Sequence, residues 1–311
     1  MLLILTGFAL GLTVLAFLIP DSFLLNAFIL YFVYIVLATS WNLVGGYAGL
    51  LNLGHGAFFG LGAYGYAFLS IYGFGLVPGM LIGALGASFL AVLMVPTFRL
   101  REDYFAVGTL ALPAIMKIVF ERILGISSII YLPIAGSFSI YSYYFPALII
   151  VTSAIVIQDL IVRSDFGLTL RAIGNEEGTA LSIGIHPPKY KMFALVISAY
   201  LAGLAGAFYT YKVGYIVPEF VFSFSWSLVP IFMCLLGGRG FLSGPIIGAV
   251  VYVVVSQILT FTLSGTGNLF IFGGIILLAA LFTPEGLAPH IYGGIRTAFR
   301  AKGGRPKALC Q

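Results

Sequence analysis

Between Ser40 and Leu69 the chain has no Asp, Glu, Lys or Arg, yet it holds eight glycines, two asparagines and a histidine. Asn42, Asn52 and His55 are side chains that both donate and accept hydrogen bonds, and none carries a fixed charge. Gly45, Gly46, Gly49 and Gly54 stand between them. Glycine interrupts a helix and frees backbone N–H and C=O groups, so the stretch offers uncharged polar contacts inside an apolar segment. A second block, "LLGGRGFLSGPIIGA" from Leu235 to Ala249, offers Gly237 and Gly238 in the same way. Both blocks read Leu-x-Gly-Gly, a faint sign of an internal duplication. Covalent chemistry has no comparable foothold. His55, His186 and His290 lie far apart, and there is no H-E-x-x-H pair, metal-spaced Cys/His cluster, G-x-S-x-G elbow or phosphate loop. The chain is therefore read as neither an enzyme nor an ATP binder.

These groups must be positioned by membrane helices. Of the 311 residues, 61% are hydrophobic and 8% charged, with a mean hydropathy of +1.11. Soluble domains carry about 25% charged residues. The apolar runs are about twenty residues long rather than the alternating ten-residue segments of a barrel. The fold class expected is an all-α polytopic membrane protein. Ten spans are placed at 1–20, 23–41, 47–70, 78–98, 104–122, 140–157, 192–211, 222–236, 245–263 and 269–283, with eight as the lower bound. Residues 1–20 are taken as a retained span, because a basic leader and a small-x-small cleavage site are absent. Cys234 sits in an apolar run and Cys310 in a basic tail, so a disulfide between them is not expected.

Orientation follows from charge. With the N-terminus inside, twelve of the fifteen basic residues fall on the inner side, and only Lys117, Arg122 and Lys212 fall outside. Basic residues favour the cytoplasmic face, so both termini are placed inside. The chain divides into a single transmembrane domain, 1–295, and a basic cytoplasmic tail, 296–311, that touches lipid. Within the domain, residues 158–191 form a polar inner loop. Leu168, Ala172, Ala180 and Ile183 suggest one or two short helices there, joined near Gly174 and closed by Pro187-Pro188.

The spans hold almost no ionisable residue, whereas ion-coupled pumps place one in the membrane core. Lys117 and Glu121 are four apart and either pair along one helix face or, in the case of Lys117, draw solute to an outer mouth. What remains is a pore energised from elsewhere, or a passive channel. Interrupted helices are tolerated at membrane depth only when buried in protein or lining a cavity, and in transporters they mark the solute path. Gly45 to His55 is read as path. Gly60, Gly62, Gly203 and Gly206 are read as close helix packing.

Four blocks in order, "NLVGGYAGLLNLGHGAFFGLGAY", "REDYFAVGTLAL", "SDFGLTLRAIGNEEGTALSIGI" and "LLGGRGFLSGPIIGA", carry a resemblance that spans most of the chain. The sequence resembles the permease subunits of branched-chain amino acid ABC importers, the LivM type in particular. The resemblance implies a prokaryotic inner (plasma) membrane location and a second, homologous permease as partner. It also implies two cytoplasmic ATPases, which bind ATP and Mg, and a soluble solute-binding protein. No cofactor is expected in this chain, and no nucleic acid partner. The inner loop would be the ATPase-docking surface, around Arg171, Asn175, Glu176, Glu177, Ala180 and Gly184. Glu177, Ala180 and Gly184 resemble the acidic-Ala-Gly coupling motif of such importers. The implied solute is leucine, isoleucine or valine, met by Asn42, Asn52, His55 and Tyr64 and, for its side chain, by Phe58 and Phe59. Urea or a short amide is the alternative. The chain departs from the family pattern at Pro113-Ala114 and across Gly125–Pro133, which bears on the solute rather than on the transporter class.

Overall fold

A computed structural model describes residues 22–99, 102–123, 125, 129–132, 139–262, 274 and 286–289. The described residues are helical apart from turns and one two-residue antiparallel pairing, β1 (Ile130–Tyr131) with β2 (Tyr215–Ile216). In chain order the helices are α1 (Ser22–Trp41), α2 (His55–Ile71), α3 (Leu76–Leu93), α4 (Glu102–Leu110), α5 (Leu112–Ile118), α6 (Tyr141–Arg163), α7 (Asp165–Asn175), α8 (Glu177–Ser182), α9 (Pro187–Val213), α10 (Pro218–Val221), α11 (Ser225–Gly237) and α12 (Gly244–Thr262).

Among the described residues, six stretches are long and apolar enough to cross a membrane: Leu24–Tyr47, Leu76–Leu93, Asp103–Arg122, Tyr141–Arg163, Pro187–Val213 and Pro218–Gly237. The protein is therefore a multi-pass, helical membrane protein. The predicted spans 1–20 and 269–283 lie outside the described residues, but for Gly274, as does the tail from 296. The single span expected at 47–70 is not one helix, because its first part continues α1 and only His55 onward forms α2.

The centre is built by small residues. α2, α3 and α9 press backbone to backbone: a Cβ on Gly62 would strike the Gly203 carbonyl, and one on Gly203 would sit 3.0 Å from Ala84 Cα. Gly60 lies against the Phe222 ring and Gly206 against the Phe59 carbonyl, so all four glycines assigned to packing do pack. Lipid tails give no hydrophobic push between helices, so close van der Waals approach must hold them. Buried polar links add to this, with Ser198 Oγ donating to Ser40 O at 2.7 Å and Cys234 Sγ to Ala38 O at 3.1 Å. α1 packs on α6, α9, α11 and α12. Large apolar side chains such as Leu85 and Phe89 of α3 face outward, as lipid contact requires.

The 158–191 loop holds two helices joined at Glu176, two residues past Gly174, which sits inside the last turn of α7. Ser164 caps α7 by accepting from Gly167 N, and Asp165 occupies the first turn. Gly167, Leu170 and Ile173 form its buried face, while Leu168 and Ile183 are exposed. Pro187-Pro188 does not close the loop. It opens α9, where a missing N–H costs nothing.

Candidate functional site

Two helix breaks meet at the core of the bundle. The first begins where α1 widens into a π-helical turn, Asn42–Tyr47. The chain then leaves the helix through Gly49, whose φ of 69° is left-handed, and becomes helical again at His55. Such π turns recur at functional sites. The second break separates α4 from α5 at Ala111, with Pro113 unable to donate to the preceding turn. Gly54 joins the two: a Cβ there would stand 2.7 Å from the Thr109 carbonyl.

Side chains take over the hydrogen bonds that the helices give up. Trp41 Nε1 donates to Asn52 O at 2.8 Å, and Gly54 N donates to Asn52 Oδ1 at 2.9 Å. Leu53 N donates to Thr109 Oγ1 at 3.0 Å, and Gly56 N to Ser227 Oγ at 2.7 Å. His55 Nε2 lies 2.7 Å from Ser40 Oγ, whose proton goes to Leu37 O at 2.8 Å. With the Ser40 proton on Leu37 O, the matching tautomer donates from Nε2 to Ser40 and leaves Nδ1 as an acceptor. That Nδ1 and Asn52 Nδ2 are buried without a hydrogen-bond partner among the described residues. One free acceptor and one free donor thus remain in the broken span.

The two glycine blocks are brought together by Asn42. Its Nδ2 donates to Phe241 O at 3.0 Å, and its Oδ1 accepts from Gly240 N at 2.9 Å. Gly46 lies against that amide and against Gly240, and Gly45 against the Trp41 indole. Gly237 abuts Gly244, and Gly238, at φ 114°, abuts Gly286. Phe58 meets His55 edge-on at 5.9 Å, Phe59 stacks on Trp226 at 4.1 Å, and Tyr64 packs on Phe120 and Phe222 at 4.4 and 5.7 Å. A shallow apolar recess lies elsewhere, between α1, α6 and α9, and includes none of these residues.

In the inner loop, Arg171 places its guanidinium 5.3 Å over the Tyr47 ring. Asn175 ends α7, Ala180 is buried, and Gly184 turns the chain at φ 86°. Glu177 is engaged: Lys191 Nζ donates to it at 2.6 Å. Glu176 forms the extended link between α7 and α8. Lys117 pairs not with Glu121 but with Glu219, at 2.8 Å. The π turn Val119–Ile123 changes the i,i+4 register that the sequence reading assumed. Ser40, Thr109, Ser227, Lys191 and Glu219 were not singled out by sequence. Hydroxyl residues inside apolar spans were the available signal.

Comparison with known proteins places this sequence in a family. Residues 23–281 match the family described as the branched-chain amino acid transport system permease component. The chain belongs to that family. It is 28% identical over 309 residues to the high-affinity branched-chain amino acid transport system permease protein LivM of Salmonella typhimurium, covering 88% of this chain and 71% of the relative. It is 29% identical over 140 residues to a probable branched-chain amino acid transport permease protein LivH of Methanocaldococcus jannaschii, covering 44% and 43%. It is also 24% identical over 185 residues to the nucleoside ABC transporter permease protein NupC of Lactococcus lactis, covering 52% and 58%. No solved structure matches the chain.

Proposed function

We propose that this permease forms half of a transmembrane pore that admits leucine, isoleucine or valine, paired with a second, LivH-like permease and driven by two cytoplasmic ATPases. The observation that carries the reading is the pair of broken helices, with His55 Nδ1 and Asn52 Nδ2 buried and unpartnered at the first of them. An ammonium group is a donor and a carboxylate an acceptor, so a zwitterion matches this pair without a net counter-charge. A solute bearing net charge would cost far more to desolvate there. Similarity to LivM over most of the chain supports the same solute class. The end bearing α7 and α8 also holds Arg163, Lys189, Lys191 and Arg239, which supports its placement on the cytoplasmic side with both termini.

The test is uptake of labelled leucine by proteoliposomes containing the chain, its partner permease, the ATPases and the solute-binding protein. Leucine uptake that needs ATP, and resists competition by urea and nucleosides, is expected. Within that system Asn52→Leu and His55→Leu lower uptake about tenfold or more, the scale of losing a buried polar contact to a substrate group. Flux independent of ATP, or uptake unchanged in both variants, contradicts the reading.

A further inference from the structure

We propose that Arg171 and Tyr47 form the mechanical link through which the docking loop moves the broken helix, a role that rests on the importer reading above. Arg171 would then act on Tyr47 within the chain, not as a contact for an ATPase.

The seam consists of two backbone approaches and one side-chain grip. A Cβ on Gly174 would collide with the Tyr47 carbonyl, and one on Gly49 would sit 3.0 Å from Gly174 Cα. No side chain fits between these segments, so α7 rests directly on the end of the π turn. Three residues before Gly174, the guanidinium of Arg171 covers the Tyr47 ring at 5.3 Å. A flat, weakly hydrated cation on an aromatic face holds position without a hydrogen-bond partner on the ring.

The far end of the same π turn is held as well. Asn42, its first residue, is fixed by two hydrogen bonds to Gly240 and Phe241. Residues 42–47 thus tie α7 to the loop before α12, and they lead directly into the break that ends at His55. A π turn differs from an α turn by one inserted residue, so a one-residue slip has a discrete alternative. Packed interfaces switch between such arrangements rather than deform smoothly.

On its outer side the loop leaves Leu168, Leu181 and Ile183 exposed, at 59%, 53% and 69%. A partner pressing there meets a helix whose inner side bears on Tyr47. The Lys191–Glu177 pair ties α8 to α9, and Phe166 of α7 packs on Tyr190 of α9 at 5.6 Å, so these contacts hold the loop without leading to the break.

The test uses the assembled transporter in proteoliposomes, with ATP hydrolysis and leucine uptake measured together. Arg171→Ala and Tyr47→Leu keep ATP hydrolysis near the parent rate and lower leucine moved per ATP about tenfold, within the range seen when coupling residues are changed. The KM for leucine stays put while the maximal rate falls. Tyr47→Phe keeps the ring and restores coupling, and the double variant is no worse than either single one. A merely structural role would move none of these ratios. Parallel loss of hydrolysis and uptake returns Arg171 to the ATPase contact, and failure of Tyr47→Phe to rescue removes the ring from the argument. Either result overturns the proposal.

A second measurement does not depend on the solute. Spin labels at Asp165→Cys and Leu51→Cys, in an otherwise cysteine-free chain, report the distance across the seam. It stays narrow and unchanged between nucleotide-free and ATP-trapped complexes, and it broadens in Arg171→Ala. A distance that changes with nucleotide in the parent sinks the link even if leucine proves the wrong solute. A parent complex that hydrolyses ATP and moves no leucine sinks the functional reading alone.

Discussion

The side chain of Lys191 is 7% exposed and that of its partner Glu177 is 36% exposed, and the inequality decides what each substitution does. Removing Glu177 strands a cation that water barely reaches, whereas removing Lys191 leaves a carboxylate that can hydrate. Breaking a fully buried pair costs about 3–5 kcal/mol, and the partial exposure of this one places it at the lower end or below. Glu177→Gln should therefore lower the unfolding temperature in detergent more than Lys191→Met, and Glu177→Lys more than both. Equal shifts would mean that the pair is solvated. This ordering also changes how a Glu177 variant is read: lost transport there reports a disturbed α8–α9 contact before it reports a lost ATPase contact. Sequence could not show the pairing, since residues 177 and 191 are fourteen apart across a turn. For the same reason Lys117 seemed to belong with Glu121, when its partner Glu219 lies 102 residues away. The polar residues of the break were legible because Asn42, Asn52 and His55 are out of place in an apolar span. Thr109 and Ser227, which accept from the backbone N–H groups of Leu53 and Gly56, were not, because a single hydroxyl in a helix usually bonds its own preceding turn.

At the scale of the element, glycines sort by what lies beside them. Gly62 faces the backbone of Gly203, while Gly86, exposed on α3, has open space around the position of a Cβ. Gly62→Ala must push α2 away from α9 and should destabilise by about 1–3 kcal/mol, the usual cost of overpacking a tight core. Gly86→Ala should be neutral or slightly stabilising, since alanine is the better helix former. Thermal unfolding of the two variants in one detergent checks the contrast, and similar shifts would remove the packing argument. Composition alone identified these elements as membrane helices, and the charges marked most of their ends. It could not locate the boundary within residues 42–55, where no charge intervenes. There α1 extends through a π turn that has no sequence signature of its own, and the span expected to start at 47 starts at His55. Pro187-Pro188 shows the same ambiguity from another side, because proline ends one element and opens the next with equal ease.

At the scale of the molecule, two ends of the bundle differ in charge and in contacts. One end gathers α7, α8, the π turn and the loop at Gly240; the other carries the β1–β2 pairing and the Lys117–Glu219 pair. Arg163, Arg171, Lys189, Lys191 and Arg239 lie at the first, against Lys117, Arg122 and Lys212 at the second. The preference of basic loops for the cytoplasmic side is the ground for the proposed orientation, with the first end inward. Accessibility follows from this, and it can be read without any knowledge of the solute. Cys234 is buried, so with Cys310 replaced by serine the chain offers no reactive background outside the core. Ile183→Cys, at 69% exposure, should react with a membrane-impermeant maleimide only after cells are opened, whereas Tyr72→Cys, at 80% exposure, should react in intact cells. The reverse pattern would turn the molecule over and put the α7–α8 surface out of reach of cytoplasmic ATPases. The Arg171–Tyr47 seam would then face a compartment without ATP. The proposed drive would have no source, so this labelling experiment tests the whole arrangement at once.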